Sequence, residues 1–196
     1  MDSTVAAQGR HPDFARRLPN TRAALEFADE RHAGQRRDAD DAPFVMHPIE
    51  VATILHEAGY PDDVIAAGAL HDVLENTETR PRDITNRFGP RVALLVTAVT
   101  ENSAIENEAD RKAALRFQVA RADEKAAAVF AADKISKVRE LRLRGSRGPL
   151  DRASREKLAH YEASLEMLAE EMPGHELVAQ LRLELEAVRA LPAGGL

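Results

Sequence analysis

The dipeptide His71-Asp72 is the feature of this sequence with the clearest capacity for chemistry. It ends an apolar run over residues 64–70, where an imidazole and a carboxylate would be costly to bury without partners. Buried groups of these two types are usually paired or bound to a metal ion. On local pattern alone, a metal site and a solvent-exposed helix end are equally good interpretations of the pair.

Two polar residues follow the pair at helical spacing. Glu75 and Asn76 stand four positions after His71 and Asp72, so a continuous helix would place all four side chains on roughly one side. Glu75 could then orient or deprotonate a water molecule, and the alternative is a surface carboxylate at the helix end.

His47 and Asp133 are further candidates for the same chemistry. His47 precedes a proline that suits the first turn of a helix, so it is either a helix cap or a ligand. Asp133 follows an apolar run, so it is either a buried carboxylate that needs a partner or an exposed one paired with Lys134 or Lys137. Together with His71 and Asp72 they could form a mixed nitrogen and oxygen set suited to Mn, Fe, Zn or a similar divalent metal.

Composition limits the partners and the setting. The formal net charge of -6 argues against broad nucleic-acid binding, although a small anion could bind where positive charge is concentrated. The sequence has no cysteine, which excludes disulfides and thiolate ligands and is compatible with the cytoplasm. We expect neither a secretory signal nor a membrane partner, because the apolar runs are far shorter than the ~20 residues needed to span a bilayer.

The sequence predicts that the elements which position these residues are helices. Ala, Leu, Glu and Arg dominate, and aromatic residues make up only 4% of the chain, a balance that favours helix over sheet. We predict a single all-α domain over residues 20–191, with a flexible arm over 1–19 and a frayed tail over 192–196. After the break at 145–149, two helices are expected to pair antiparallel and close one side of the core. The other expected helices span residues 20–35, 48–58, 61–74, 81–88, 91–100, 106–121 and 124–141.

Several ordered motifs resemble one known family. They are GQRR at 34–37, PFVMHP at 43–48, ALHDVLENT at 69–77, FG at 88–89 with VT at 99–100, and AADK at 131–134. They are similar to the HD hydrolase domain of RelA/SpoT proteins, and most of all to the small alarmone hydrolases that include the metazoan SpoT homologue. The resemblance covers about residues 22–170 and implies a single HD-domain helical bundle.

The resemblance also implies a site and a reaction. The family's metal ligands correspond to His47, His71, Asp72 and Asp133 here, and the expected metal is Mn²⁺. The expected activity is removal of the 3′-pyrophosphate from guanosine tetra- or pentaphosphate, with Glu75 and Asn76 at the catalytic positions. A divalent ion suits this reaction, because it activates water near neutral pH and withdraws charge from a phosphoryl oxygen.

The expected substrate contacts are mainly cationic. The resemblance implies that Arg36 and Arg37 contact the nucleotide and that Tyr161 packs near it. Arginine can chelate phosphate oxygens or stack on a base. Without the resemblance, the arginines would be a solvated face and Tyr161 a core aromatic. The further basic residues expected in this patch follow Asp133 and are Lys134, Lys137 and Arg139.

Departures from the family pattern leave two alternatives open. Asn76 stands where the family usually has aspartate, and an amide cannot accept a proton as a base. Ser136 and Lys137 replace residues that touch the nucleotide in the family, and the loop after Arg37 is acidic. The alternatives are therefore an HD-fold phosphatase or pyrophosphatase for a different nucleotide, and a catalytically decayed nucleotide-binding module.

Overall fold

The computed structural model describes residues 11–191 of the 196-residue chain, and this range confirms the all-α prediction. The described residues form no strand, and their single isolated β-bridge joins Arg36 to Pro43. A short 3₁₀ helix, Asp13–Arg17, precedes the α-helices. These are α1 (Pro19–Arg31), α2 (Met46–Glu57), α3 (Asp62–Leu70), α4 (Val73–Asn76), α5 (Pro81–Ala98), α6 (Glu108–Ala120), α7 (Glu124–Gly145), α8 (Arg152–Glu171) and α9 (Glu176–Arg189).

Helix α3 lies at the centre of the core. Every residue from Val64 to Leu70 is buried, and the helix packs against α1, α2, α5 and α7. Fully burying an aliphatic side chain of this kind contributes about 1.5–3 kcal/mol. Gly68 permits the close approach of α2, because a Cβ there would lie 2.4 Å from Leu55 Cδ1. The C-terminal end of α3 is therefore held rigidly where His71 follows.

Helix α7 is the second buried helix. Asp123 caps its N-terminus by accepting a hydrogen bond from the backbone N–H of Ala126. The helix contacts α2, α3, α8 and α9, and it carries Asp133 among buried residues. It ends at Gly145, four residues beyond the predicted end at 141. Arg142 and Arg144 in its last turn are favourable near the negative end of the helix dipole.

Several predicted helix boundaries differ from the observed ones. The helix expected through residue 74 ends at Leu70, and a turn at His71 and Asp72 separates it from the single-turn helix α4. The helix expected from Asn20 to residue 35 begins one residue earlier, at Pro19, because proline suits the first helical position. It ends at Arg31. His47 is not a cap, since the N-cap of α2 is Val45.

The two helices expected over 81–88 and 91–100 form one kinked element, α5. Gly89 interrupts it with φ 86° and ψ 165°, a backbone conformation that is essentially restricted to glycine. Pro90 then begins the second half, as proline does at the first turn of a helix. The break that the sequence indicated is present as a kink.

The last two helices both lie against α7, and α9 packs on it more extensively than on α8. The predicted apolar face of α9 is buried through Leu177, Leu181, Leu185 and Val188. The predicted domain limits stay a prediction, since residues 1–10 of the arm and the whole tail lie outside the described residues. Over residues 11–191, no helix combines the length and the hydropathy needed to cross a membrane.

Candidate metal centre and anion-binding cleft

Four side chains from three parts of the chain meet in the core. His47 comes from the first turn of α2, His71 and Asp72 from the turn between α3 and α4, and Asp133 from the middle of α7. All four are buried, with at most 8% of each residue exposed. We call these four residues the metal-centre cluster.

The facing atoms of the cluster are close together. The Nε2 atoms of His47 and His71 are 3.1 Å apart. Asp133 Oδ1 lies 3.2 Å from the first of these nitrogens and 3.4 Å from the second. Asp72 Oδ2 lies 3.5 Å from His47 Nε2 and 3.3 Å from His71 Nε2. Two imidazole nitrogens and two carboxylate oxygens therefore converge on one point.

Hydrogen bonds on the far side of His47 determine its tautomer, that is, which of its two ring nitrogens carries the proton. Ser136 Oγ donates its proton to Glu50 Oε2 at 2.8 Å, because a carboxylate can only accept. The same Oγ lies 2.8 Å from His47 Nδ1 and must accept the proton from that nitrogen. Neutral His47 therefore carries its proton on Nδ1, and Nε2 presents a lone pair.

His71 is oriented in a similar way by its own helix. Its Nδ1 donates to the carbonyl oxygen of Gly68 at 2.7 Å. This contact directs Nε2 toward Asp72, Asp133 and His47. A backbone acceptor behind a ligating imidazole is the usual second support of a metal-binding histidine.

The charges of the cluster favour a cation. Burial lowers the pKa of His47 to about 4. Burial also opposes the charged form of His71, but Asp72 and Asp133 outweigh it and raise the pKa of His71 to about 10. Burial alone would raise the pKa of Asp72, but the charges of His71 and Lys137 hold that pKa well below its usual range. Burial would also raise the pKa of Asp133, but Lys134 and the two histidines hold that pKa well below its usual range. Both carboxylates therefore stay ionised and attract positive charge.

The residues fit a divalent cation. Asp72 Oδ2 and Asp133 Oδ1 are buried and accept no hydrogen bond, so each has a lone pair without a donor. His47, His71 and Asp133 offer ligand atoms within 4.8 Å of one another. A set of imidazole nitrogens and carboxylate oxygens suits first-row divalent metals, and the described residues include no cysteine.

Glu75 and Asn76 are exposed on α4, just beyond the cluster. The turn at His71 and Asp72 separates them from the buried pair, so the four residues do not share one helix face. Glu75 Oε1 accepts a hydrogen bond from the backbone N–H of Glu101 at 2.5 Å. Burial raises the pKa of Glu75 to about 7, although the hydrogen bond from the Glu101 N–H opposes that effect. The side-chain amide of Asn76 has no hydrogen bond to another described residue.

A cleft opens beside the metal-centre cluster, between the loop after α1 and helices α7 and α8. Lys137 connects the two, since its Nζ lies 3.8 Å from Asp72 Oδ2 and 5.2 Å from the centre of the Phe44 ring. Five cations, two acids, two aromatic rings and two aliphatic side chains line the cleft: Arg36, Arg37, Lys137, Arg144, Lys157, Asp38, Glu140, Phe44, Tyr161, Ala39 and Leu141. The excess of positive charge suits an anionic ligand.

The loop over residues 36–43 is folded back on itself, which places its basic pair beside Phe44. The backbone N–H of Arg37 donates to the carbonyl of Ala42 at 2.9 Å, and that of Phe44 donates to Gln35 at 3.0 Å. Asp40 pairs with the Arg37 guanidinium, and it raises the pKa of that group. The acidic loop residues therefore orient one of the arginines.

The structure brings some predicted substrate residues to this cleft and not others. Arg36, Arg37, Lys137 and Tyr161 line it, and Tyr161 is also a buried core residue. Arg139 is not among the lining residues, because its guanidinium binds Glu50 at 3.0 Å and Glu184 at 2.7 Å.

Lys134 is not in the cleft either. It is buried, with its Nζ 2.6 Å from Asp133 Oδ2 and 4.4 Å from the centre of the Phe130 ring. Its position explains why only Oδ1 of Asp133 faces the histidines.

Sequence reasoning missed four cleft residues. Glu140 follows Lys137 by three residues and Arg144 follows Glu140 by four on α7, and Lys157 precedes Tyr161 by four on α8. This helical spacing is a signal that could have found them once Lys137 and Tyr161 were candidates. The signal for Phe44 was weaker, because Phe44 belongs to the motif at 43–48 but had no role of its own in the sequence analysis.

Comparisons with known proteins show which family and which solved structures this chain resembles. Residues 24–162 match the HD-domain family. The chain is 37% identical over 122 residues to the Drosophila melanogaster MESH1 enzyme, named guanosine-3′,5′-bis(diphosphate) 3′-pyrophosphohydrolase, covering 61% of this chain and 68% of that enzyme. The human MESH1 enzyme is 38% identical over 121 residues, covering 60% of this chain and 67% of its own length.

Longer relatives and solved structures extend the likeness. An Aquifex aeolicus enzyme of the same name is 42% identical over 88 residues, and the match covers 45% of this chain but only 12% of that enzyme. The structure of a metazoan SpoT orthologue described as hydrolysing ppGpp has a TM-score of 0.70 and 28% identity, covering 88% of this chain and 96% of the other. A Listeria monocytogenes structure has a TM-score of 0.64 and 29% identity, covering 73% and 96%.

Proposed function

Because this chain belongs to the HD-domain family, we propose that it is a metal-dependent hydrolase that removes the 3′-pyrophosphate from guanosine tetra- or pentaphosphate. The observation that carries the proposal is the buried metal-centre cluster at the edge of a cationic cleft. Likeness to the MESH1 enzymes over most of their length supports the substrate.

His47, His71, Asp72 and Asp133 would hold the cation in this proposal, and Mn²⁺ is the ion we propose. The support is the paired nitrogen and oxygen donors and the two buried carboxylate oxygens without hydrogen-bond donors. When bound, a divalent cation activates water and withdraws charge from a phosphoryl oxygen. We also propose that the protein works in the cytoplasm. The absence of cysteine from the sequence is compatible with that setting.

Glu75 is the proposed proton acceptor. The reaction adds water across the bond between phosphorus and the ribose 3′-oxygen, so the water must lose a proton. One oxygen of Glu75 is held by the Glu101 N–H, which leaves the other free to orient that water. Its raised pKa brings its basicity closer to neutral pH, where a general base works best. We propose that the neighbouring Asn76 orients the water through its amide and takes up no proton.

The cations of the cleft have complementary roles in this proposal. Lys137 lies beside Asp72 and would stabilise charge on the reacting phosphoryl group. Arg36 and Arg37 would hold the nucleotide from the loop side, where arginine can bind phosphate bidentately or stack on the base. Arg144 and Lys157 would bind the phosphates farther from the metal-centre cluster.

Three departures from the family pattern bear differently on the alternative substrates. Ser136 is fully buried and bonds to His47 and Glu50, so it does not enter the cleft and does not favour a different nucleotide. Lys137 does line the cleft, and Asn76 changes the catalytic position. The alternative of a different nucleotide substrate is therefore supported only by Lys137 and Asn76. The alternative of a catalytically decayed binding module is supported only by Asn76.

The test is turnover by purified protein loaded with Mn²⁺. We expect pyrophosphate release from guanosine tetraphosphate, and loss of that release in Asp133→Asn because a cluster carboxylate is removed. Asp110→Asn, at an exposed position on α6, is the matched control and should keep full activity.

Three other results would separate the alternatives. Release from a different nucleotide, with none from guanosine tetraphosphate, would support a phosphatase or pyrophosphatase with another substrate. No release from any nucleotide by metal-loaded protein would support a binding module. Equal activity of Asp133→Asn and wild type would refute the proposed metal centre.

A further inference from the structure

Gln35 joins the loop after α1 to the C-terminal end of α4. Its side-chain Nε2 donates a hydrogen bond to the backbone carbonyl oxygen of Asn76 at 2.9 Å, and the two residues lie 41 positions apart in sequence. Its Oε1 lies 2.8 Å from His32 Nδ1, which must donate the proton because a carbonyl oxygen can only accept. The two ends of one amide group therefore hold two distant segments together.

The backbone of Gln35 is held as firmly as its side chain. Its N–H donates to the carbonyl oxygen of His32 at 3.0 Å, and its own carbonyl oxygen accepts from the N–H of Phe44 at 3.0 Å. His32 is buried, and its ring centre lies 4.7 Å from that of Phe44. Turning the amide of Gln35 over would set its oxygen against the carbonyl oxygen of Asn76, two acceptors facing each other. The donor end of Gln35 is thus aimed at α4.

Helix α4 depends on contacts from outside because it is only one turn long. A helix of four residues is far too short to be stable by itself. The carbonyl groups of its last turn have no partner within the helix, and Gln35 supplies one for Asn76. Glu75 on the same turn is held by the backbone N–H of Glu101. Gln35 and Glu101 therefore hold the turn that carries Glu75 through two separate hydrogen bonds.

We propose that Gln35 is a positioning residue for the reaction, and that its hydrogen bond to the Asn76 carbonyl sets where Glu75 and Asn76 stand beside the metal-centre cluster. This inference rests on the proposed function, in which Glu75 accepts a proton from water and Asn76 orients that water. Gln35 is not among the described residues that line the cleft, so it acts through α4 and not on the substrate itself. Its effect belongs to the chemical step, where a misplacement of about 1 Å can cost up to about 100-fold in rate.

The first test compares Gln35→Met with wild-type protein, both loaded with Mn²⁺. Methionine has a similar length but no N–H donor. The kcat for pyrophosphate release should fall by roughly 10- to 100-fold, while KM and the affinity for Mn²⁺ stay unchanged. Gln180→Met is the matched control, at a half-buried position on α9 that makes no hydrogen bond to another described residue. An unchanged kcat in Gln35→Met, or a loss confined to KM or Mn²⁺ affinity, would overturn the proposal.

Gln35→Glu separates the two ends of the amide. The carboxylate still accepts from His32, but it places an acceptor against the carbonyl oxygen of Asn76. We expect a loss of kcat at least as large as in Gln35→Met. Wild-type kcat in this variant would show that the donor to Asn76 is not needed. Because the bond to His32 is kept, Gln35→Glu also covers the case in which Gln35→Met does not fold.

A merely structural role for Gln35 predicts a different result in a double variant. If Gln35 acts by placing Glu75, its substitution has little left to disturb once that carboxylate is gone. Gln35→Met should therefore lower kcat much less in a Glu75→Ala background than in wild type. Equal losses in the two backgrounds would mean that the two residues act independently, and the proposal would be wrong.

Amide hydrogen exchange at Glu101, measured by NMR, reports the position of Glu75 without any turnover. Exchange should be faster in Gln35→Met than in wild type, as it should be in Glu75→Ala, because the hydrogen bond from the Glu101 N–H is lost. Unchanged exchange in Gln35→Met, with turnover in wild type, would refute the role of Gln35 and leave the hydrolase intact. Faster exchange without any turnover by wild type would refute the hydrolase and leave the positioning of Glu75 by Gln35 intact.

Discussion

Ser136 links His47 to Glu50 through two hydrogen bonds of 2.8 Å. The sequence had indicated only that this serine replaces a residue that contacts the nucleotide in the family. Arg139 extends the link, because it binds the other oxygen of Glu50 and also Glu184. The result is a chain of hydrogen bonds that keeps the His47 lone pair pointed at the metal-centre cluster. Such supports behind a ligand commonly contribute 10- to 100-fold in metal affinity, by order of magnitude.

Ser136→Ala should therefore weaken Mn²⁺ binding by roughly 10- to 100-fold, because His47 loses the acceptor that defines its tautomer. Competition with a chelator of known affinity measures the change. Ser164→Ala is a matched control, since that buried serine bonds only to the carbonyl of His160. Unchanged Mn²⁺ affinity in Ser136→Ala would show that the link has no influence on the site.

Asn76 offers a second prediction at this scale. The residue is exposed beside Glu75, and its amide has no partner that a substitution would disrupt. Asn76→Asp would add a carboxylate that can accept a proton, so we expect alarmone hydrolysis to rise by about tenfold. Steady-state rates of pyrophosphate release test this, with the exposed Asn86→Asp on α5 as the control. A rate at or below that of wild type counts against a catalytic role for this position.

At the scale of elements, the turn between α3 and α4 and the kink in α5 arrange the side chains of the proposed catalytic site. The turn buries His71 and Asp72 while leaving Glu75 exposed. The second half of α5 leads to Glu101, whose backbone N–H holds Glu75. Glu101 is in turn bound by Arg111 from α6 at 2.6 Å. The kink at Gly89 sets the direction of that second half.

Gly89→Ala should destabilise the fold by about 1–3 kcal/mol, because a side chain is strained at φ 86° and ψ 165°. Open space around the position means that strain, and not a clash, is the cause. Urea denaturation measures the free energy of unfolding. Gly148→Ala has equally open space without the positive φ and should be nearly neutral. If both variants lose the same stability, backbone strain at the kink is not the reason.

At the scale of the whole molecule, the metal-centre cluster joins segments that lie far apart in sequence. Residues 47, 71–72 and 133 come from α2, the turn after α3, and α7, which pack together in the core. Two buried carboxylate oxygens without hydrogen-bond donors, Asp72 Oδ2 and Asp133 Oδ1, are a cost to the fold in the absence of a cation. A cation that binds the folded chain and not the unfolded one therefore stabilises the entire domain.

Mn²⁺ should raise the melting temperature of this protein. At a free concentration of about 100 times the Kd, binding adds about 2.7 kcal/mol to the free energy of unfolding. That corresponds to a rise of several degrees for a chain of this size. Thermal unfolding with and without Mn²⁺, and after chelation, measures the shift.

Two variants control the thermal experiment. Asp72→Ala should show no rise in melting temperature because a cluster carboxylate is gone. Asp13→Ala, whose side chain is 90% exposed, should keep the full rise. A rise in Asp72→Ala as large as that of wild type would mean that Mn²⁺ binds elsewhere.

The sequence by itself determined the all-α fold, the approximate helices and the residues of the metal-centre cluster. Apolar spacing decides which helix faces are buried, and the ordered motifs around His47, His71 and Asp133 resemble one family closely enough to single them out. Tertiary structure decided the rest. Ser136 and Arg139 form contacts with residues about 45 to 90 positions away in sequence, such as Glu50 and Glu184.

The pair His71-Asp72 shows why this division arises. Local pattern could not distinguish a metal site from an exposed helix end, because burial and facing partners are properties of packing and not of the segment. The folded chain surrounds the pair with His47 and Asp133, leaves two carboxylate oxygens without donors, and opens a cationic cleft beside them. Residue types can be read along the chain, but the electrostatic environment of a side chain exists only when distant segments meet.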